Sequence, residues 1–161
     1  MRLGPVVAAA ALLAGGCDRG GAGEGSPGIR AAIADTVRAE SERMLRVMVT
    51  RNADSVLAFY GANAAYVGNG VVGDWRAIVS ATPSRYASYT KVECRWNGPI
   101  RIDVPSRTVA VVTGVLRCDK ADSTRSWTEL AARTEVLSPE NGRWRIVAVH
   151  ESTPPGTSEL H

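Results

Sequence analysis

The segment of residues 126–152 constrains the fold of this chain more than any other part of the sequence. It reads SWTELAARTEVLSPENGRWRIVAVHES, in which two runs rich in Val, Ile, Thr and Trp flank Asn141 and Gly142. Asn-Gly tolerates the positive φ angles of a tight hairpin turn, and β-branched and aromatic residues favour strands. The segment therefore predicts two long antiparallel strands, at about residues 126–138 and 143–151.

The N-terminal residues predict export and lipid attachment. Residues 1–17 contain one Arg, an apolar run from Val6 to Ala14, and two glycines directly before Cys17. The run is too short to cross about 30 Å of hydrocarbon, but its layout is typical of a secretory signal. Its end resembles the lipobox of bacterial lipoproteins, whose cysteine is diacylated. We therefore expect Cys17 to anchor the protein to the periplasmic side of the bacterial cell envelope; secretion with cleavage nearby is the alternative.

The part of the chain suited to form a folded domain spans about residues 29–153. Residues 18–28 read DRGGAGEGSPG, without a large apolar side chain, so we expect a flexible tether there, and a flexible tail at residues 154–161. The sequence has 19 Lys and Arg against 16 Asp and Glu, a formal net charge of +3, without a basic run or stripe. This distribution disfavours a nucleic-acid partner.

The first half of the domain is predicted to be mostly helical. Apolar residues recur at helical spacing in residues 29–50, which predicts one long amphipathic helix. A second, short helix is predicted to begin at Asn52 or Asp54 and to continue through Tyr60.

The remainder is predicted to be a hairpin, a third helix and a series of long strands. The hairpin turns at residues 68–70, and the third helix begins with Asp74 as its cap and ends before Pro83. The strands are predicted at about residues 89–104, 108–118, 126–138 and 143–151. This order of elements is typical of an α+β domain.

These elements resemble the nuclear transport factor 2-like superfamily, in particular its SnoaL-like members. The resemblance is carried by the helix at residues 54–60 leading into strand 64–67, by Gly-Asp-Trp at residues 73–75, and by the ending at residues 142–152. It covers about residues 29–153. It implies a cone-shaped, curved antiparallel sheet wrapped around one long and two short helices, enclosing a cavity, often in a dimer.

Cys94 and Cys118 are expected to form a structural disulfide. They fall on neighbouring predicted strands, and a turn centred on Ser106 places them opposite one another. Opposed residues of antiparallel strands come close enough for a disulfide, and exported proteins meet oxidising conditions. Two buried free thiols are the alternative. The same register pairs Ile102 with Ala110, Ile100 with Val112, and Trp96 with Leu116.

Alternation along the strands sorts their residues into two faces, because neighbouring side chains point to opposite sides. The inner face is predicted to hold Val92, Cys94, Trp96, Ile100, Ile102, Ala110, Val112, Leu116, Leu130, Ala132, Thr134, Val136, Trp144, Ile146, Ala148 and His150. The outer face is predicted to hold Val109, Val111, Val115, Val147 and Val149. So apolar an outer face indicates a partner, and we expect a homodimer through it. A monomer in sedimentation at micromolar concentration would contradict this.

Arg133 and Glu135 lie two residues apart and therefore share a strand face. The alternation places them outside as a surface ion pair of little energetic weight. A register shifted by one residue would turn both into the cavity.

His150 is the titratable group that the alternation places on the inner face, where it could act as a general base. The hydroxyl of Tyr66 or Tyr86 would then be the acid. A histidine that only hydrogen-bonds a helix is the alternative. The cavity lining is predicted to be Tyr60, Tyr66, Trp75, Tyr89, Trp96, Thr134, Trp144 and His150. Neither His150 nor His161 lies at metal-ligand spacing from a cysteine, so neither a metal nor another cofactor is expected.

The resemblance extends to ketosteroid isomerases, scytalone dehydratases and limonene epoxide hydrolases, which are similar in placing Asp, His, Tyr or Arg groups inside the cone. The alternation gives this chain no inward Asp-Arg-Asp set. The sequence therefore favours a lipid-anchored domain that binds a small, largely apolar ligand without established catalysis. A cofactor-free lyase or isomerase with His150 as its base is the alternative. The third possibility is a purely structural or protein-docking lipoprotein, which would have no cavity large enough for a ligand.

Overall fold

The computed structural model describes residues 25–154 and 159–160. The predicted signal, the lipid attachment at Cys17 and most of the predicted tether lie outside these residues. Within the described part of the chain, no helix has the length and apolar character needed to span a membrane.

The described residues contain three helices, α1 (Pro27–Met48), α2 (Ala53–Leu57) and α3 (Trp75–Ser88). Asn52 caps α2, because its side chain accepts a hydrogen bond of 2.9 Å from the N–H of Ser55. Asp74 caps α3 in the same way, with a bond of 2.9 Å from the N–H of Arg76. Such acceptors satisfy N–H groups that the first helical turn leaves unpaired. The predicted starts of both short helices are confirmed.

Both short helices end elsewhere than the sequence predicts. The helix α2 stops at Leu57, and Tyr60 begins a strand instead, because its backbone pairs with a strand near the C-terminus. The helix α3 continues past Pro83, although proline has no N–H to donate. Burial of Thr82 and Tyr86 on either side of Pro83 favours the longer helix.

Eight strands form one sheet: β1 (Tyr60–Gly68), β2 (Val71–Gly73), β3 (Lys91–Trp96), β4 (Arg101–Ser106), β5 (Val109–Ala121), β6 (Ser126–Glu140), β7 (Arg143–Ser152) and β8 (Glu159–Leu160), all within the described residues. The order is β2-β1-β7-β6-β5-β3, with β4 also paired to β5 and β8 to β6. The α+β class is confirmed. The sheet is not antiparallel throughout, since β1 and β7 run parallel. The strand β8 lies within residues 154–161, which the sequence predicts to be a flexible tail.

The hairpin between β6 and β7 is confirmed, with φ angles of 51° at Asn141 and 75° at Gly142. The single strand predicted at residues 89–104, in contrast, is two strands. It is interrupted at Gly98, whose φ of 104° breaks the extended backbone. Both resulting strands, β3 and β4, pair with β5.

The predicted disulfide is present. Cys94 on β3 and Cys118 on β5 lie directly opposite one another, with Cα atoms 4.1 Å apart, and their sulfur atoms are bonded. The register predicted for β3 is therefore confirmed. On β4 the prediction is wrong by two residues, because Ile102 pairs with Val112 and not with Ala110. A shift of two residues leaves side chains on the same face.

The face of β6 that points inward is the opposite of the predicted one. The buried residues of this face are Ala131, Arg133, Glu135 and Leu137. The residues that were predicted to lie inside alternate with these and point outward: Leu130, Ala132, Thr134 and Val136. The prediction took charge as a sign of exposure, whereas Arg133 and Glu135 bury as a bonded pair.

A β-bulge in β7 reverses its faces partway along the strand. Val136 pairs with Ala148, while the next residue, Leu137, pairs with Ile146, so Val147 is left as an extra residue. One extra residue turns every later side chain to the other face.

Beyond the bulge, the predicted faces of β7 are wrong. Val149 is buried and Glu151 faces the sheet interior, whereas His150 is exposed on the outer face. Ala148 points outward with its partner Val136. Glu151, and not His150, therefore lies on the inner face of the sheet.

The helix α1 covers part of the inner face of the sheet. Its buried residues Val37, Ser41, Met44 and Leu45 pack toward β3, β4 and β5. The helix α3 contacts β1 and α2 instead. This arrangement leaves room between α2, α3 and the inner side of the sheet.

Candidate functional site

A cavity of about 240 Å³ lies between the inner face of the sheet and the helices α2 and α3. Its aromatic lining consists of Tyr60, Tyr66, Trp75, Tyr86 and Tyr89. Its aliphatic lining includes Met48, Val56, Leu57, Ile78, Val92 and Leu116. An apolar wall with a few polar groups is typical of small-molecule sites.

Four of the predicted lining residues lie in this cavity, and four do not. Tyr60, Tyr66, Trp75 and Tyr89 line it, as does Tyr86, one of the two tyrosines considered as an acid. Trp96 and Trp144 are partly buried against the hydrophobic core instead. Thr134 and His150 point outward because of the face of β6 and the bulge of β7. The predicted base is thus outside the cavity.

Two aromatic contacts organise the lining. The rings of Tyr60 and Trp75 have centroids 5.1 Å apart, and those of Tyr86 and Tyr89 meet edge to face at 6.1 Å. Such pairs hold both rings in defined orientations. The apolar wall is therefore largely formed before any ligand enters.

Arg133 is the centre of a charged cluster at one wall of the cavity. Its Nε donates to Glu135 Oε1 at 2.7 Å, its Nη1 donates to Glu151 Oε2, and its Nη2 donates to the hydroxyl of Tyr60 at 2.9 Å. The hydroxyl of Ser41 donates to the other oxygen of Glu135 at 3.5 Å. These bonds explain how charged side chains can be buried here.

The members of the cluster differ in their access to the cavity. Glu135 is 0% exposed and Arg133 7% exposed, whereas the side chain of Glu151 is 20% exposed. Arg133 and Glu151 line the cavity, with Glu135 behind them. Two carboxylates share one guanidinium, so the cluster carries one formal negative charge in excess. Within this cluster, Glu151 is the carboxylate that a ligand can reach.

The cavity environment shifts the pKa of the groups around Arg133. Burial alone would lower the pKa of Arg133. Its partners Tyr60, Glu135 and Glu151 raise this pKa by more than burial lowers it, so it lies well above its ordinary value. Burial raises the pKa of the Tyr60 hydroxyl, and burial followed by the charge of Glu151 raises that of Tyr66. At neutral pH Arg133 is a cation and both tyrosines are neutral hydrogen-bonding groups.

A second ion pair lies at another part of the lining. Lys120 Nζ and Glu129 Oε2 are 2.8 Å apart, with side chains 16% and 25% exposed. In the described part of the chain, no group of three or more His, Cys, Asp or Glu side chains could hold a metal ion.

The sequence contains one signal for the charged cluster and none for the inward position of Glu151. The spacing of Arg133 and Glu135 shows that both share a face, and only the register decides which face it is. Glu151 follows His150 directly, so one extra residue earlier in β7 turns Glu151 toward the cavity and His150 away from it. The hydrophobic pattern of β7 does not reveal that bulge.

Comparison with known proteins identifies the fold of this chain. No protein-family model matches this chain, and no curated protein matches its sequence. Solved structures do match. A candidate scytalone dehydratase from Novosphingobium aromaticivorans has a TM-score of 0.71 at 11% identity, over 81% of this chain and 89% of that one.

Two further structures are similar. A type-3 hexachlorocyclohexane dehydrochlorinase from Novosphingobium barchaimii has a TM-score of 0.65 at 11% identity, over 83% of this chain and 92% of its own. A nuclear transport factor 2-like protein of unknown function from Pseudomonas putida has a TM-score of 0.63 at 15% identity, over 81% and 94%. The chain therefore has the nuclear transport factor 2-like fold. At these identities the likeness shows the fold alone.

Proposed function

We propose that this domain binds a small, largely apolar ligand in the cavity between the sheet and helices α2 and α3. The observation that carries the proposal is an aromatic lining that meets a buried, hydrogen-bonded charge cluster at one wall. Apolar walls supply affinity, and a few fixed polar groups orient the ligand. A cavity of about 240 Å³ suits a small molecule of up to three rings.

The polar wall has hydrogen-bonding capacity left for a ligand. A carboxylate has about four acceptor sites, and Glu151 uses its Oε2 for Arg133. The neutral hydroxyl of Tyr66 can donate or accept a bond near the same wall. A ligand with one hydroxyl or amide group would therefore find partners at Glu151 and Tyr66.

Filling the cavity is expected to abolish binding. Ala131 lines the cavity and is 3% exposed, while its neighbour Ala132 is exposed on the outer face. Ala131→Phe should lower the affinity for the neutral dye N-phenyl-1-naphthylamine at least about tenfold, because its ring occupies the space of the ligand. Ala132→Phe, the matched control, should leave the affinity unchanged. Dye fluorescence measures both, and circular dichroism checks that each variant is folded.

Unchanged dye binding by a folded Ala131→Phe protein would contradict the proposal. Equal losses in both variants would also contradict it, because the dye would then bind without using this cavity.

A second candidate function is a cofactor-free elimination with Glu151 as the base. The position of Glu151 favours this function, because its carboxylate faces the cavity beside Arg133 and near Tyr66. Glu151 would take a proton from a ligand carbon, and the bonding electrons would form a double bond as a hydroxyl leaves the next carbon. The Tyr66 hydroxyl would protonate that hydroxyl to water and then recover the proton from Glu151. The dehydratase and dehydrochlorinase with similar folds are both named for eliminations.

Glu151→Gln is expected to lower the rate of any such elimination at least about a hundredfold. Its affinity for the dye should stay within a few-fold of the wild-type value. His150→Gln is the matched control, because His150 is the adjacent residue on the exposed face and should not matter. Mass spectrometry of a panel of cyclic β-hydroxy ketones and chlorocyclohexanes measures elimination. A wild-type protein without turnover on the panel, or an active Glu151→Gln protein, would contradict this function.

The homodimer through the outer face of the sheet is also part of the proposal. That face carries Val111, Val136 and Ala148 in one row and Val115 beside Ala132 in another, and Val115 is 41% exposed. Solvated faces of antiparallel sheets are usually polar. Sedimentation of the folded domain tests the dimer, and a monomer at micromolar concentration would contradict it.

Membrane anchoring through a lipid on Cys17 completes the proposal. The apolar run and the two glycines before Cys17 support it. Intact mass spectrometry of the protein from the membrane fraction should show a diacylated N-terminal cysteine, and an unmodified Cys17 would contradict it.

A further inference from the structure

The cationic side chains of the cavity lining differ in their partners. Arg133 is paired with Glu135 and Glu151, and Lys120 is paired with Glu129. Arg85 also lines the cavity, but it makes no ion pair with any acidic side chain in the described residues. It is therefore the lining cation with its charge available to a ligand.

Arg85 lies at the exposed side of the cavity, in the last turn of α3. Its charge acts on the hydroxyls of Tyr66 and Tyr86, where it opposes the rise of their pKa caused by burial. Arg85 lines the same cavity as these two tyrosines, so it can contact a charged group on a molecule bound there.

The charges of the cavity wall favour one orientation of an anionic ligand. The cluster of Arg133, Glu135 and Glu151 carries one negative charge in excess, and it repels an anion from the inner wall. Arg85 attracts an anion at the exposed side. A guanidinium binds carboxylates and sulfonates through paired hydrogen bonds.

We infer that Arg85 holds the anionic group of an amphipathic organic anion whose apolar body occupies the aromatic cavity. The inference rests on the proposed binding function and names its ligand class: small ring compounds with one carboxylate or sulfonate. The alternative role of Arg85 is to stabilise the C-terminal end of α3 through the helix dipole. That role would affect stability without distinguishing a charged ligand from a neutral one.

Two dyes with the same arylamine body test the inference. One is 8-anilinonaphthalene-1-sulfonate, which carries a negative charge, and the other is the neutral N-phenyl-1-naphthylamine. Arg85→Gln should weaken the sulfonate about fivefold and change the affinity for the neutral dye less than about twofold. Arg85→Lys keeps the charge and should restore most of the sulfonate affinity.

Arg76→Gln is the matched control, because Arg76 is an exposed arginine of the same helix that does not line the cavity. It should leave both affinities unchanged. Equal sulfonate affinity in the wild type and Arg85→Gln would overturn the inference and leave the proposed function standing, provided that Ala131→Phe still abolishes binding of the neutral dye. If Ala131→Phe leaves both dyes bound, the proposed function fails and this inference fails with it.

Discussion

Arg133→Met is expected to lower the free energy of unfolding by about 3 to 5 kcal/mol. Arg133 is 7% exposed and Glu135 is 0% exposed, and the guanidinium supplies the bond of 2.7 Å to Glu135 Oε1. Without it, the buried Glu135 keeps only the 3.5 Å hydrogen bond from Ser41 within the described part of the chain. An unpaired buried charge costs far more than the pair contributes. Urea unfolding followed by circular dichroism measures the change.

Two further variants separate this cause from a general packing effect. Arg101→Met removes an exposed partner of Asp103 and should not change stability measurably. Arg133→Met combined with Glu135→Leu removes the buried charge together with its partner and should recover roughly half of the loss or more. A double variant as unstable as Arg133→Met alone would contradict the electrostatic explanation.

The features that the sequence predicted correctly depend on a few neighbouring residues. Asn52 and Asp74 cap their helices through bonds to residues two or three positions away. The turn at Asn141 and Gly142 depends on the backbone freedom of those two residues. The pairing of Cys94 with Cys118, predicted by counting from a turn at Ser106, is correct although the register of β4 differs by two residues, because the interruption at Gly98 takes up that shift.

The candidate site could not be predicted in the same way, because its faces depend on distant contacts. Arg133 and Glu135 are tolerated inside only because Tyr60 from β1 and Glu151 from β7 complete their hydrogen bonds. The extra residue Val147 then determines that Glu151, and not its neighbour, faces the cavity. Periodicity places alternate residues together but cannot say which set is buried when charged groups supply each other's partners.

Removing the disulfide is expected to cost about 3.5 kcal/mol of stability. Cys94 and Cys118 are separated by 24 residues in sequence, and closing a loop of this length removes that much conformational freedom from the unfolded chain. The bond joins β3 to β5, and Cys118 also lines the cavity. The variant Cys94→Ala with Cys118→Ala should therefore unfold at lower urea concentration and bind N-phenyl-1-naphthylamine more weakly.

The reduced wild type provides the internal comparison. With a reductant present, the wild type and the double variant both lack the bond, so their stabilities should approach one another, and only the oxidised wild type should be higher. Because both cysteines are buried, at 7% and 5% exposure, alanine also leaves a small loss of packing that persists under reduction. The cross-link accounts for the difference between oxidised and reduced wild type, and the lost packing accounts for the remainder. Equal urea midpoints of the oxidised and reduced wild type would contradict a stabilising disulfide.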